Sequence, residues 1–284
     1  MNDTVSIVVG KARSAQAAFE RCDQSAVDET VCALAWVVME PGRNRALAEQ
    51  AVADTGLGRA EDKILKNHRK TLGLLRDLAG KTSVGVIAEY PELGITEIAR
   101  PVGVVAAVTP STNPAATPVN MAMFSIKGGN AVIIAPSPAG LKTTTVTVNY
   151  MRAELEKIGL PADLVQVLPA PVNKALTQEL MNAADLVVVT GSQNNVRRAY
   201  SSGTPAIGVG AGNVPVVIDE TADFAAAAEK ICASKIFDNS TSCSSENSVI
   251  ILDSVYDHAI EALKNAGGYL CSAEEKEGIR KSMW

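Results

Sequence analysis

Apolar residues recur every three to four positions over residues 5–20, 24–39, 43–54 and 61–78, a spacing that predicts four helices. Pro41-Gly42 and Gly56-Leu57-Gly58 punctuate them. Over 83–100 the pattern turns strand-like, with Val84, Val86 and Ile87, then Ile95 and Ile98, broken by Pro91 and Gly94. That predicts a protruding hairpin. From Pro101 onward, short continuous apolar runs alternate with helical stretches. Strands are predicted over 102–109, 131–135, 164–168, 186–190, near Ala206 and over 214–218, with helices over 115–127, 141–158, 174–182, 194–201 and 221–236. Continuous apolar strands indicate a parallel sheet covered on both faces. The alternation predicts a doubly wound α/β domain. A strand over 248–252 and a helix over 255–265 then begin another βα unit.

The chain has 284 residues, 47% hydrophobic and 20% charged, ample for a core and suggesting two domains. Its formal net charge of −5 leaves no basic footprint for nucleic acid. No apolar run reaches the roughly 18 residues of a membrane span. Residues 1–10 lack a basic stretch followed by an apolar one, so no signal peptide is read and a cytoplasmic protein is expected. Five cysteines, with no CxxC, indicate free thiols in a reducing compartment and no metal site. Cys22, Cys32 and Cys232 lie in Ala-rich helical stretches and read as small buried hydrophobes.

Cys243 differs. It sits in a run of small polar residues between a helical pattern and an apolar strand, where a thiol can be a nucleophile. There are only two histidines. His68, within Lys66-Asn67-His68-Arg69-Lys70, reads as part of a solvated basic helix face, and His258 lies in a distal helix, so a Cys–His dyad has poor support. Gly208-Val209-Gly210-Ala211-Gly212-Asn213 misses the dinucleotide fingerprint GxGxxG by its last residue, and it precedes a strand instead of opening a helix. Phosphate-loop and GxSxG motifs are absent. What remains are polar loops at strand ends, where open α/β sheets bind ligands. These are Thr109-Pro110-Ser111-Thr112-Asn113-Pro114, Ala135-Pro136-Ser137-Pro138 and Thr190-Gly191-Ser192. Each alone reads as an ordinary turn with a helix cap. Three in one sheet, with Cys243 downstream, point to a cofactor site.

Several stretches carry a resemblance: Pro101-Val102-Gly103-Val104-Val105, Thr112-Asn113-Pro114, Lys127-Gly128-Gly129-Asn130-Ala131-Val132-Ile133, the run from Gly203 to Asn213, and Phe237-Asp238-Asn239 with Cys243 and Glu246. Together they resemble the aldehyde dehydrogenase superfamily, most of all its CoA-acylating branch, as does Glu61-Asp62-Lys63-Ile64-Leu65-Lys66-Asn67-His68. The likeness runs over nearly the whole chain. It implies a NAD(P)-binding domain over 1–236, an oligomerisation hairpin over 83–100, and the start of a catalytic domain over 237–284. It further implies a homo-oligomer (dimer or tetramer), NAD or NADP as cofactor and coenzyme A as co-substrate. Contacts to the cofactor are implied for Thr109, Pro110, Ser111, Ala135, Ser137, Pro138, Gly191, Ser192, Val196, Gly208, Val209 and Gly210.

In the mechanism so implied, the Cys243 thiolate attacks an aldehyde, and Asn113 with the Cys243 N–H stabilises the oxyanion. Hydrolytic relatives carry a glutamate near the position of Val209, whereas no acid lies between Asp185 and Asp219 here. Loss of that base suits an incoming CoA thiol better than water. Glu246 is the rival base, and its plainer reading is structural. Acetaldehyde and sulfoacetaldehyde are the substrate expectations. Ser137 stands where acylating relatives commonly carry histidine, which leaves room for a 2′-phosphate and leaves NAD against NADP open. The resemblance implies a longer catalytic domain, so the chain is expected to be C-terminally truncated and weakly active; a free-acid-forming enzyme and an inactive cofactor-binding fragment are the alternatives.

Overall fold

The computed structural model describes residues 3–210 and 212–283. The chain forms two compact units, 1–211 and 212–284. The first begins with α1 (Asp3–Phe19), α2 (Gln24–Met39), α3 (Pro41–Thr55) and α4 (Ala60–Leu78). Their ends follow local chemistry. Asp23 accepts a hydrogen bond from the Ala26 N–H and caps α2. Pro41 opens α3, which stops at Gly56 in a left-handed conformation (φ 66°). The predicted hairpin is β1 (Gly85–Tyr90) against antiparallel β2 (Ile95–Ala99), with Val86, Ile87, Ile95 and Ile98 exposed.

The core is a parallel sheet of β3 (Val104–Thr109), β4 (Ala131–Pro136), β5 (Val165–Val167), β6 (Leu186–Thr190) and β7 (Ala206–Val209), in the order β5-β4-β3-β6-β7. Crossovers are α5 (Ala116–Lys127), α6 (Leu141–Lys157), α7 (Lys174–Ala183) and α8 (Gln193–Tyr200). The chain starts at central β3, winds out to β5, then returns to β6 on β3's other side. Right-handed crossovers therefore put α5 and α6 on one face, and α7 and α8 on the other. The first face is closed by α2 packing on α5 and α6, the second by α1 packing on β4 and α7. Every residue of β3 and β4 is buried, which accounts for their continuous apolar runs.

One charged contact fixes the amino edge of this sheet. Asp185 accepts both guanidinium nitrogens of Arg13 at 2.8 and 2.9 Å and the Val104 N–H at 2.8 Å. Burial pushes its carboxyl up, but the bonds from Arg13 and Val104 outweigh this and hold it below the ordinary carboxylate value. Gly103 (φ 123°) makes the approach possible, since a Cβ there would stand 2.4 Å from Asp185 Oδ2.

Two sequence expectations are corrected. The stretch 66–70 is not a solvated basic face, because Lys66 and Asn67 are buried, as are Lys63 and Thr71. Residues 63, 67, 71 and 74 share one inward side of α4 at helical spacing. That side is polar and bonded: Asn67 Nδ2 donates to Asn44 Oδ1 at 2.9 Å, and Lys63 Nζ donates to the Thr112 carbonyl at 3.2 Å. Nor are the helical cysteines buried. Cys32 is exposed one turn before exposed Trp36, on the outer side of α2, while Cys22 and Cys232 are half-buried.

The second unit holds the parallel pair β8 (Pro215–Ile218) and β9 (Ser248–Ile251), with α9 (Phe224–Ile236), α10 (Tyr256–Asn265) and α11 (Ala273–Met283). Thus β8 and α9 cluster with the second unit, although the sequence reading ran the first domain to residue 236. His258 stacks on Phe224 with ring centroids 6.2 Å apart, a packing role between α9 and α10.

Candidate active site

The carboxyl ends of β3, β4 and β6 meet where the strand order reverses, the place at which doubly wound sheets bind ligands. A cavity of about 380 Å³ opens there. It gathers the three loops singled out by sequence. Thr109, Pro110 and Ser111 come from the end of β3, and Ala135, Ser137 and Pro138 from the end of β4. Gly191 and Ser192 come from the β6–α8 turn. Ser192 caps α8 by accepting the Asn195 N–H at 3.3 Å, and Ser137 accepts the Gly140 N–H likewise at 3.3 Å. Thr109 is 2% exposed, and its Oγ1 has no partner within the protein. A buried hydroxyl at a cavity wall costs free energy until a polar ligand meets it, so the site fits a hydrogen-bonding cofactor.

The remaining expected cofactor residues lie off that cavity. Val196 packs α8 onto β7, where a Cβ on Gly208 would stand 2.8 Å from Val196 Cγ1 and 3.1 Å from the Tyr200 ring. Glycine is therefore needed at 208 for helix and strand to close up. Val209 is exposed at the end of β7, and Gly210 lies against Gln193. Conversely, the cavity takes in Asn173, Lys174, Thr177, Asn195 and Arg198, which the sequence reading missed. One signal was available. Asn173 is the N-cap of α7, accepting the Leu176 N–H at 2.9 Å, and Lys174 follows it. A cation in the first helical turn opposes the helix dipole.

Asn113 belongs to the first unit and is 9% exposed. Its Oδ1 is buried without a partner, and its Nδ2 makes only a 3.4 Å contact with Thr112 Oγ1. That amide is free to donate elsewhere. Lys63 steadies the loop through the neighbouring Thr112 carbonyl.

Cys243 belongs to the second unit, and the residue is exposed. The loop before it is unusual: Asp238, Asn239 and Ser240 have φ of 50°, 51° and 63°. Left-handed backbone costs a non-glycine residue roughly 1–2 kcal/mol, least for Asp and Asn. Fully buried Asp238 anchors the turn, accepting Thr241 Oγ1 through Oδ2 at 2.7 Å and through its carbonyl at 2.8 Å. Gly212 backs the loop, since a Cβ there would come within 3.1 Å of the Cys243 carbonyl. Glu246 Oε2 is buried with no hydrogen-bond partner. Cys22 contrasts with Cys243, because burial and then the Asp23 carboxylate push its thiol up, away from thiolate chemistry.

The sequence model of the aldehyde dehydrogenase family matches residues 2–270. The chain belongs to the aldehyde dehydrogenase family. Among its family relatives, the acylating sulfoacetaldehyde dehydrogenase of Cupriavidus necator is 60% identical over 99% of this chain and 57% of its own length. An acetylating aldehyde dehydrogenase of Geobacillus thermoglucosidasius superposes with TM-score 0.90 at 37% identity, over 96% of this chain and 60% of its own. Rhodopseudomonas palustris propionaldehyde dehydrogenase, solved with bound CoA and an acylated cysteine, superposes with TM-score 0.85 at 28% identity, over 98% of this chain and 63% of its own. The chain thus spans less than two thirds of the length of these relatives. For an aldehyde dehydrogenase the Thr109 and Ser192 cleft is the nicotinamide dinucleotide's place, and the orphaned Thr109 hydroxyl agrees with that.

Proposed function

We propose that the protein oxidises an aldehyde to an acyl-CoA with a nicotinamide cofactor, through a thioester on Cys243. The observation that carries this reading is the 60% identity to an acylating sulfoacetaldehyde dehydrogenase across 99% of the chain. The same likeness makes sulfoacetaldehyde the preferred substrate and acetaldehyde the second. Residues 1–236 would act as the cofactor domain and 237–284 as the start of the catalytic one. The exposed apolar side chains of the β1–β2 hairpin suit a homo-oligomer contact. No helix among the described residues is long and apolar enough to cross a membrane. Catalysis in the cytoplasm is part of the proposal.

The Cys243 thiolate attacks the aldehyde carbon, a C–S bond forms, and the carbonyl electron pair moves to oxygen. Asn113 Nδ2 and the Cys243 N–H donate to that oxyanion, each worth about 3 kcal/mol. When bound, the nicotinamide supplies the two-electron acceptor that brings the carbon to the thioester level. Thr109, Ser111 and Ser192 hold its dinucleotide in the cleft. The CoA thiolate then attacks the thioester, forming a new C–S bond as the bond to Cys243 Sγ breaks and the thiolate returns. Water is a poor rival, because no carboxylate lies between Asp185 and Asp219 to act as its base. Product analysis by mass spectrometry tests this. Acyl-CoA is expected only when CoA is supplied, and free acid formed without CoA would overturn it.

A further inference from the structure

We infer that Lys174 and Ser137 make the cleft select a dinucleotide bearing a 2′-phosphate, NADP over NAD. The inference rests on reading the cleft as the nicotinamide dinucleotide site. In doubly wound sheets, a carboxylate at the end of the second strand holds the ribose 2′-hydroxyl, and a nearby cation takes its place where a 2′-phosphate must fit. Here the second strand is β4. It ends in Ala135-Pro136-Ser137, and no acid follows before Glu154. Ser137 is short, and its hydroxyl is turned to its own Gly140 N–H. The β4 end therefore offers the ribose neither a carboxylate nor bulk.

The β5–α7 turn follows the neighbouring strand and supplies the charge. Lys174 and Arg198 both line the cavity, and among the described residues no carboxylate does. Arg198 is committed to structure. Its Nε donates to Gln178 Oε1 at 3.0 Å and its Nη2 to the Lys174 carbonyl, tying α8 to the first turn of α7. That fixes the backbone from which Lys174 projects. Lys174 is a lone cation in a first helical turn without an acid, where the helix dipole opposes it. A phosphomonoester carries roughly two negative charges at neutral pH, enough to make that placement favourable.

Isothermal titration of the 284-residue protein with NADPH and NADH tests this apart from turnover. NADPH is expected to bind at least about tenfold tighter, the scale of one charge-assisted bond. Lys174→Met should weaken NADPH by about tenfold and leave NADH within about twofold. Ser137→Glu should likewise weaken NADPH while sparing NADH, and circular dichroism checks both variants for folding. Equal affinity of the wild type for the two nucleotides overturns the inference and leaves the proposed reaction standing. Equal loss of both nucleotides in Lys174→Met also overturns it, by assigning the lysine to the pyrophosphate. If neither nucleotide binds, the dinucleotide reading of the cleft falls, and this inference with it.

Discussion

The cofactor cleft and the Cys243 loop are built by opposite means. In the first unit β3 and β4 are buried at every residue, and their loops carry the cleft on a sheet closed by helices on both faces. In the second, β8 and β9 leave Val217 66% and Ile250 54% exposed, and three left-handed residues lead into the nucleophile's turn. The cleft takes its shape from regular packing, so its residues stand where the strands end. The Cys243 turn takes its shape from local backbone that buried Asp238 and its bonds to Thr241 hold in place.

The sharpest way to separate the two regions is Cys243→Ser. Acyl-CoA formation should fall by more than about 10³ while NADPH affinity in calorimetry stays unchanged. Loss of both together would mean that the regions are not independent. Asn113→Ala should lower kcat by about 10²–10³ with little change in nucleotide affinity, read in steady-state kinetics and titration. Packing gives the next contrast. Ile133→Ala, in fully buried β4, should cost about 2–5 kcal/mol in urea unfolding, whereas Ile250→Ala on exposed β9 should stay within about 0.5 kcal/mol.

Asp185 offers a pH test confined to the first unit. Its carboxyl is held below its ordinary value, so the stability it adds is present above the ordinary carboxylate range and is lost as pH falls through the lowered value. Asp185→Asn should therefore cost about 1–2 kcal/mol at neutral pH, the lower end because Arg13 is half exposed, and the gap should close in acid. The smallest effect belongs to the Cys243 loop. Asn239→Gly removes a left-handed side chain and should stabilise by a few tenths to about 1 kcal/mol. Thermal melts would read it.

The sheet and its crossovers were legible because buried parallel strands leave unbroken apolar runs, and the cleft because its loops end those strands. Residues reached from helix faces were less visible. Lys174 and Arg198 enter the cavity through the packing of α7 against α8, which no local pattern records. The buried side of α4 misled because Lys63 and Asn67 are polar, and only their bonds to Thr112 and Asn44 explain their burial. The left-handed run at 238–240 had a faint signal in the pair Asp238-Asn239, the residue types that tolerate such backbone. Helix α11 did not follow from any apolar period, since none of its residues is buried.

Peptide mass mapping of Cys243 addresses the acyl-transfer chemistry most directly. The protein is incubated with sulfoacetaldehyde and NADP without CoA, then split into samples with and without added CoA. The expected result is an acyl group on Cys243 that persists in buffer and is cleared by CoA with release of the acyl-CoA. An acyl group lost equally fast without CoA, giving free acid, or one carried by another residue, would contradict it.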